Sequence, residues 1–334
     1  FTALVITRMI LKALYAVGLK DEKFYGKAKD RKTVDFLAKK KIFFTISLVM
    51  IIGGFVCMGV NKGTSGTALN YSLDFVGGTS TNVTFNEDMD LAALDSQVVP
   101  VIEKITKDAN VQVQKVAGGN QVIFKTRTLD VEERQALTEA LVENFGVNSD
   151  LITAETISST ISSEMRSDAI VAVVIAAICM LLYIWFRFKD IRFATSSVAA
   201  LIHDVLVVLA FYAVARVSVG STFIACMLTI VGYSINATIV IFDRIRENLG
   251  AMTKKDDLEQ LVNRSISQTL SRSIFTSLTT FFMVAALFVL GVSSIREFAL
   301  PLMVGIVCGT YSSVCITGAL WYVLRTKIGT KKNK

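Results

Sequence analysis

The pair His203–Asp204 lies inside a run that is otherwise almost entirely apolar, from Ile191 to Val217. An ionised carboxylate at the centre of a bilayer costs at least about 2.5–3.5 kcal/mol, so such residues are rare in apolar runs. Counted from Phe193, Asp204 lies about 16 Å along a helix, near the middle of a hydrocarbon core of about 30 Å. A proton, a cation or a neighbouring side chain must neutralise it there, which makes Asp204 a candidate for carrying an ion. The alternative is a structural carboxylate bonded to a neighbouring helix.

Three more polar side chains could complete such an ion relay. His203 is the only histidine of the chain and adjoins Asp204, but it points about 100° away around the helix. Asn236 and Thr238 lie about 21 and 24 Å along the next apolar run, counted from Thr222, where either could hydrogen-bond to Asp204. Asn236 has no charge and would adjust the site without titrating. The alternative is hydrogen-bonded packing between helices, which contributes about 0.6 kcal/mol per interaction.

Asp243 and Arg244 follow at the end of the same run. They are predicted to form an ion pair at the cytoplasmic boundary of the membrane rather than a part of the ion path. The cysteines all lie in apolar runs without metal-site spacing, so packing is their expected role and no metal site is predicted; they are Cys57, Cys179, Cys226, Cys308 and Cys315. No cofactor is expected other than the carried ion, for which carboxylate, amide and hydroxyl groups suit H⁺ or Na⁺.

The elements that must hold these residues are membrane-spanning helices. Of the 334 residues 52% are hydrophobic and only 2 are proline, with a mean hydropathy of +0.54, a composition typical of a polytopic membrane protein. A span needs about 20 apolar residues. Six runs qualify: Ile42–Val60, Ala169–Phe186, Phe193–Val217, Thr222–Phe242, Ile274–Val292 and Phe298–Leu324.

Charge predicts the orientation of these spans. Basic residues cluster in 20–41, 187–192, 244–272 and 326–334, all on one side if six spans are real, and the positive-inside rule makes that side the cytoplasm. Residues 61–168 then lie outside and the C-terminus inside. Loop 244–272 is expected to form an amphipathic helix on the membrane. The net charge of +7 needs no nucleic-acid partner, although it suits contact with anionic lipids.

The outward segment is predicted to be an α+β domain. A strand-like stretch, 70–85, is followed by a helix over Leu91–Thr106, in which Pro100 requires a kink or a late start capped by Asp95 or Ser96. Two strands joined by "AGGN", an amphipathic helix at 131–145 and a strand at 151–158 complete the order β-α-β-β-α-β. This order is the ferredoxin-like, split β-α-β pattern. The domain contains no histidine and no nucleophile–base pair, so no enzyme is predicted.

Several stretches resemble the SecF family of protein-export membrane proteins. They are "LDFVGGT" (73–79), "ALIHDVLVV" (200–208), "VGYSINATIVIFDRIREN" (231–248) and "RSISQTLSRSIFTSLTTF" (264–281), in the family's order. Residues 1–19 resemble the end of the last helix of SecD, which implies a SecDF fusion in which 20–41 is a linker. The divisions are 42–60 for the first SecF-type span, 61–168 for the outward domain, 169–325 for the five-helix bundle and 326–334 for the tail.

The resemblance implies a six-helix bundle of the resistance-nodulation-division (RND) type and an accessory role in Sec-dependent export, driven by an ion gradient. The implied partners are a SecD half, the SecYEG translocon and unfolded preproteins, at the bacterial cell membrane. It also favours coupling or hinge roles for Asp74, Phe75, Gly77 and Gly78 over a simple turn. Alternatives are an RND exporter of small molecules or lipids, for which one domain of about 100 residues is small, and a membrane scaffold in which Asp204 is structural.

The chain departs from the family pattern at two places. The family usually has an acidic residue after the asparagine of the fourth helix, where this chain has Ala237. It also tends to have a Gly/Pro turn before the second helix, where this chain has Ser and Thr, although Glu164 and Arg166 match. The first departure concerns the ion site, and the second concerns the hinge between domain and membrane.

Overall fold

The computed structural model describes residues 5–19, 33–108, 111–116, 119–253, 256–291 and 293–329. It contains two compact units, Phe1–Val34 and Asp35–Lys334. Within the first unit, α1 spans Thr7–Ala16. The assignment of 1–19 to a SecD-type helix stays a prediction. Residues 20–32 of the predicted linker and 330–334 of the predicted tail lie outside the described residues.

The second unit is built on helices that can span a membrane. Among the described residues, six helices are long and apolar enough to span a membrane, as the sequence predicts. The chain is therefore a multi-pass membrane protein. The helices are α2 (Lys40–Ser65), α7 (Ser159–Phe188), α8 (Ile191–Ala215), α9 (Ser221–Gly250), α10 (Leu258–Leu290) and a sixth that is interrupted. The sixth consists of α11 (Ser293–Tyr311), a π-helical turn (Ser312–Thr317) and α12 (Gly318–Gly329).

Most of these helices extend beyond the apolar runs, and at α7, α8 and α10 a polar side chain caps the first turn. Helix α7 begins at Ser159, well before Ala169, since the Ser158 hydroxyl accepts a hydrogen bond from the Ile161 amide at 3.3 Å. Asp190 caps α8 in the same way through the Arg192 amide at 2.9 Å. Sequence periodicity locates apolar stretches, whereas capping groups decide where a helix starts.

The prediction of a separate amphipathic helix within loop 244–272 is wrong. Helix α9 continues to Gly250, and α10 runs without interruption from Leu258 to Leu290. The apolar side of its first turns is used inside the protein, because Val262 and Ile266 are buried in a cluster with Phe242 and Trp321. An amphipathic pattern is the same for a helix on a membrane surface and for one packed on its neighbours.

Two apolar clusters fill the bundle. One contains Phe188, Phe193, Phe242 and Trp321, and the other contains Tyr212, Cys226, Ile230 and Ile306; these lists name only part of each cluster. On α8, Leu201 belongs to the first cluster and Val208 to the second. Asp204 therefore lies between the two clusters, where the bundle changes from one to the other.

The α+β domain, which we define as residues 70–157, has the predicted element order. Its main sheet consists of β2 (Gly78–Thr84), β3 (Gln112–Lys115), β4 (Gln121–Thr126) and β5 (Ile152–Ile157), all antiparallel and in the order β3-β4-β2-β5. Helix α6 (Val131–Phe145) begins with a capping box between Asp130 and Glu133. The core of the α+β domain contains the buried residues Val83, Phe124 and Leu141. This strand order is that of the split β-α-β arrangement.

Two local predictions need correction. The stretch 70–85 is not one strand, because β1 (Asn70–Tyr71) is followed by a helical turn, α3 (Leu73–Val76), before β2 begins. The first long helix starts at α4 (Leu91–Ala93) with Asp90 as its cap, and neither Asp95 nor Ser96 caps it. A π-helical turn over Leu94–Val98 leads into α5 (Val99–Thr106), where Pro100 lies in the first turn and needs no amide partner.

Strand β1 does not belong to the main sheet. It pairs in parallel with β6 (Ser218–Val219), the short segment between α8 and α9. The α+β domain is therefore bonded to the membrane bundle by backbone pairing as well as by its chain connections.

Candidate intramembrane ion site

Asp204 is completely buried in the helix bundle. Its Oδ2 accepts hydrogen bonds from Ser234 Oγ on α9 at 2.5 Å and from Ser312 Oγ in the π-helical turn at 2.8 Å. Its Oδ1 lies 3.0 Å from His203 Nδ1 and 3.4 Å from Cys308 Sγ on α11. Three membrane-spanning helices thus converge on one carboxylate, and their polar groups offset part of the cost of burying its charge.

His203 lies closer to Asp204 than helix geometry alone predicts. Its ring folds back along α8, so that Nδ1 contacts the carboxylate and not a different helix. With a proton on Nδ1 the ring donates to Asp204. Its Nε2 is buried and has no hydrogen-bond partner among the described residues. The ring centroid is 6.2 Å from that of Tyr311, whose hydroxyl donates to the Phe43 carbonyl of α2 at 2.8 Å.

The two oxygens of Asp204 face different chemistry. His203, Asp204 and Cys308 each place one possible ligand atom within 4.8 Å of the other two, a grouping hidden in the sequence because Cys308 lies 104 residues beyond Asp204. Nitrogen and sulfur donors suit soft transition metals, whereas oxygen donors suit hard cations. The Oδ2 side offers the hydroxyl oxygens of Ser234 and Ser312, which fit the expected H⁺ or Na⁺.

The two polar residues predicted on α9 lie on different faces of the helix. Thr238 is buried, and its Oγ1 is 3.1 Å from Ser313 Oγ, which donates to the Ser234 carbonyl at 3.4 Å. Thr238 therefore does not hydrogen-bond to Asp204 as predicted, and it supports the site through Ser313 instead. Asn236 is exposed and makes no hydrogen bond to Asp204, so its prediction as a direct partner is wrong. Around a helix, Asn236 is about 200° from Ser234, whereas Thr238 is about 40° from it.

Asn236 instead lines a shallow cavity on the surface of the bundle, together with Arg272 of α10. Arg272 is exposed and has no hydrogen bond or ion pair with the described residues. The remaining lining residues are Tyr233, Ala237, Val240, Ser273, Thr276 and Ser277. An unpaired guanidinium on a membrane-spanning helix is unfavourable in lipid, so this face is suited to water or to a further protein surface. We call it the Asn236–Arg272 face.

Asp243 and Arg244 do not pair with each other, in contrast to the prediction. Asp243 binds Arg187 of α7, with Nη2 2.9 Å from both carboxylate oxygens, and Arg246 lies 3.5 Å away. Arg244 donates to Glu247 and to Gln268, both at 2.6 Å. Adjacent helical residues point about 100° apart, so neighbours in sequence rarely make the ion pair that their charges suggest.

The predicted hinge residues join the α+β domain to the bundle. Asp74 Oδ2 accepts hydrogen bonds from the amide of Ser221 at 3.0 Å and from its hydroxyl at 2.6 Å, at the first residue of α9. Phe75 is buried in the same apolar cluster as Tyr212 and Ile230 of the membrane bundle. In the motif "LDFVGGT", Asp74 is therefore bonded to the membrane-spanning helix α9, and Phe75 packs in the apolar cluster of the membrane bundle.

Gly77 and Gly78 allow a close passage between the hinge and β2. Their φ angles are +78° and +116°, in the region that other residues rarely adopt. A Cβ on Gly77 would lie 3.1 Å from Ser159 Cα, and one on Gly78 only 2.2 Å from the Thr126 carbonyl oxygen. The backbone therefore passes close to neighbouring backbone at both glycines, where a side chain would not fit without a shift.

Known proteins similar to this chain agree with its membrane architecture. The family described as protein export membrane protein SecD/SecF, C-terminal, matches residues 137–327. A protein translocase subunit SecF from Sebaldella termitidis is 37% identical over 286 residues, which cover 86% of this chain and 90% of that protein. The chain belongs to the SecD/SecF family.

Solved structures of SecDF extend this similarity to three dimensions. The SecDF crystal structure from Thermus thermophilus, titled a translocon-associated membrane protein, matches with a TM-score of 0.82 and 31% identity. The match covers 98% of this chain but only 43% of the SecDF chain. A SecDF structure in a super-membrane-facing form matches with a TM-score of 0.64 and 31% identity, covering 92% of this chain and 41% of the other.

The SecD/SecF-family departure at Ala237 lies on the Asn236–Arg272 face and not beside Asp204. Ala237, where the resemblance predicts an acidic residue, lines this face together with the exposed Arg272. Three groups around Asp204 are not predicted as ion-site residues from the sequence: Ser234, Cys308 and Ser312. The signal that could have found Ser312 is the hydroxyl-rich stretch "GTYSSVCITG" (309–318) within the last apolar run.

Proposed function

We propose that the chain is an ion-gradient-driven accessory subunit of the Sec protein translocase that promotes outward movement and release of preproteins. Membership of the SecD/SecF family supports the accessory role, since relatives of this chain are named protein translocase subunits. The observation that carries the ion-driven part is Asp204, a completely buried carboxylate with hydroxyl donors from two other membrane-spanning helices.

The proposed driving event is a change in the charge of Asp204. When H⁺ or Na⁺ binds, the carboxylate is neutralised, and the hydroxyls of Ser234 and Ser312 no longer face a bare negative charge. The packing of α9 and of the π-helical turn against α8 then changes. Turns of the π type are frequent at functional sites. One monovalent ion supplies about 2.3 kcal/mol per 100 mV of membrane potential, enough to bias a domain movement of a few kcal/mol.

The proposed output is movement of the α+β domain. Asp74 and Phe75 connect this domain to α9 and to the apolar cluster of the bundle. The two SecDF structures match this chain at the same identity but with different TM-scores, which supports the idea that this architecture occurs in more than one arrangement. A domain that holds an emerging chain and then swings would hinder its return.

The proposed setting is the bacterial cell membrane, with residues 61–168 outside and the C-terminus in the cytoplasm. A SecD half would pack on the Asn236–Arg272 face and complete the ion path there, where Arg272 lacks a partner among the described residues. Further proposed partners are SecYEG, unfolded preproteins and anionic lipids, the last through the basic residues of the cytoplasmic side. The coupling ion is H⁺ or Na⁺.

Export measured in vesicles tests this proposal. Vesicles containing the Sec machinery, a SecD half and this chain should export a preprotein faster when an ion gradient is present. Replacing Asp204 by Asn should abolish that stimulation while ATP-driven export continues at its basal rate. Thr229→Ala is a matched control, since this exposed hydroxyl of α9 bonds only within its own helix. Equal stimulation with Asp204→Asn would refute the ion-carrying role.

A further inference from the structure

Helix α9 is capped by a residue from another part of the chain. Its N-cap position is Gly220, which has no side chain to offer. Asp74 of the α+β domain takes this role by accepting hydrogen bonds from the amide and the hydroxyl of Ser221, which lies 147 residues later in the chain. The first amides of a helix lack partners within it and carry partial positive charge, so a carboxylate there is stabilising.

The joint between domain and helix is shaped for this contact. A Cβ at Gly220 would lie 2.1 Å from Ser72 Oγ and 2.8 Å from Asp74 Oδ2, so a side chain there would push the hinge away. The Ser72 amide donates to the Val219 carbonyl at 2.9 Å, which continues the pairing of β1 with β6. The hinge therefore holds the start of α9 by backbone and side-chain bonds together.

Further polar contacts surround the same place. Asn70 Nδ2 donates to the Arg216 carbonyl at 2.9 Å, and Arg216 Nη1 donates to the Thr67 carbonyl at 3.2 Å. Lys125 of β4 donates to the Tyr71 carbonyl at 3.3 Å. The bonds of Asn70 and Arg216 cross to the segment that leads into α9, whereas the Lys125 bond holds β1 to β4 within the domain. The joint is therefore a defined structure and not a loose tether.

The same helix reaches the ion site. Ser234, whose hydroxyl donates to Asp204, lies thirteen residues after Ser221, which is about 20 Å along α9. A helix of this length is stiff enough to pass an axial shift from one end to the other. A displacement at Asp74 would therefore change the distance between Ser234 and Asp204. A movement of Ser234 away from Asp204 would likewise shift the start of α9 at Asp74.

We propose that Asp74 is the positioning residue that couples the α+β domain to Asp204 through α9, and that this joint opens during each transport cycle. With the joint closed, Asp74 holds α9 where Ser234 reaches Asp204. With the joint open, α9 loses its cap and the domain is free to swing. This inference rests on the proposed function for its role in transport, although the cap itself can be tested without it.

Hydrogen exchange tests the cap. Replacing Asp74 by Ala should accelerate amide exchange at 221–224 by about 5- to 30-fold, the effect of removing one helix cap, and Asp74→Asn should recover most of the protection because it keeps an oxygen acceptor. Gly220→Ala should accelerate the same amides. Asp130→Ala is the matched control, since Asp130 caps α6 within the domain and should leave 221–224 unchanged. Unchanged exchange in Asp74→Ala would overturn the cap.

A reversible cross-link tests the opening of the joint. Asn70 and Ser218 are paired residues of β1 and β6, and neighbouring strands lie about 4.8 Å apart, a distance that a disulfide can span. In the double variant Asn70→Cys, Ser218→Cys, oxidation should remove most of the gradient-dependent export, and reduction should restore it. The single-cysteine variants control for the native cysteines.

The outcomes separate this inference from the proposed function. Equal gradient-dependent export by the oxidised and reduced double variant would overturn the opening of the joint and leave the ion-driven role of Asp204 intact. A wild-type protein that shows no gradient stimulation in the same vesicles would overturn the proposed function, while the exchange measurement would still decide the cap. Loss on oxidation with recovery on reduction supports both.

Discussion

Two polar regions of the membrane bundle differ in how completely this chain satisfies them. Among the described residues, the contacts of the Asp204 carboxylate come from α8, α9, α11 and the π-helical turn, and the contacting residues are all buried. On the Asn236–Arg272 face both Asn236 and Arg272 are exposed, and Arg272 has no partner among the described residues. The first region is a closed site, and the second is an open polar face, which we propose a SecD half completes.

The difference shows that one membrane-spanning helix can serve two sites. Ser234 and Asn236 are two residues apart on α9 but face opposite ways. A charge change at Asp204 can therefore reach the Asn236–Arg272 face through the rotation or shift of a single helix. The predictions below separate these two faces by the size of their effects.

The largest effect is expected from the hydroxyls of the closed site. Ser234→Ala and Ser312→Ala should each lower the free energy of unfolding by about 1.5–3 kcal/mol, since each hydroxyl donates to a buried carboxylate. Denaturant unfolding in detergent at high pH measures it, with Thr229→Ala as the control on α9. Neutral hydrogen bonds between membrane helices contribute about 0.6 kcal/mol. If each variant lowers the free energy of unfolding by only that amount at every pH, Asp204 never carries a charge.

An intermediate effect should separate Thr238 from Asn236. Thr238→Val should lower the free energy of unfolding by about 1 kcal/mol, because Thr238 is buried and its hydroxyl bonds to Ser313. Asn236→Ala should change the free energy of unfolding by less than about 0.5 kcal/mol, as expected of an exposed position. The same unfolding assay measures both. Equal costs at the two positions would contradict the assignment of opposite faces.

The smallest effect on stability is expected for Arg272. Arg272→Ala should leave the unfolding of the chain alone within about 0.5 kcal/mol, because Arg272 has no bonded partner among the described residues. Co-purification with a SecD half should nevertheless weaken, and Arg272→Lys should retain part of it. Destabilisation of the isolated chain together with normal co-purification would contradict an incomplete site on this face.

The sequence predicts the closed site's central residue but not its surroundings. A carboxylate in an apolar run is visible by residue type alone, so Asp204 could be singled out, as could the hinge glycines. Ser234 and Ser312 could not be assigned, because hydroxyls are common in membrane helices and only the packing of three helices shows which ones face Asp204. The element order of the α+β domain follows from periodicity and the six spans follow from the length of the apolar runs, since each segment carries that signal locally. The bundle is expected only from the family resemblance.

The mistakes have a common physical origin. Position along the chain predicts the roles of Asn236, Arg244 and the surface helix, whereas the direction of a side chain around its helix decides its partner. A depth of about 21 Å along α9 is compatible with any rotation about the helix axis. The contacts of α9 with α8, α10 and α11 fix that rotation. The bonded partners of Ser234 and Thr238 lie 30 and 75 residues away in sequence.

The most direct test of the account measures the proton or ion on Asp204 itself. Infrared difference spectroscopy of the protein in lipid, between low and high pH and with or without Na⁺, detects a buried carboxyl group that gains or loses its proton. We expect a carboxyl C=O band that appears on acidification or responds to Na⁺, that is absent in Asp204→Asn and that shifts in Ser234→Ala. A spectrum of the wild type that is identical to that of Asp204→Asn under all these conditions would contradict a change of charge at Asp204.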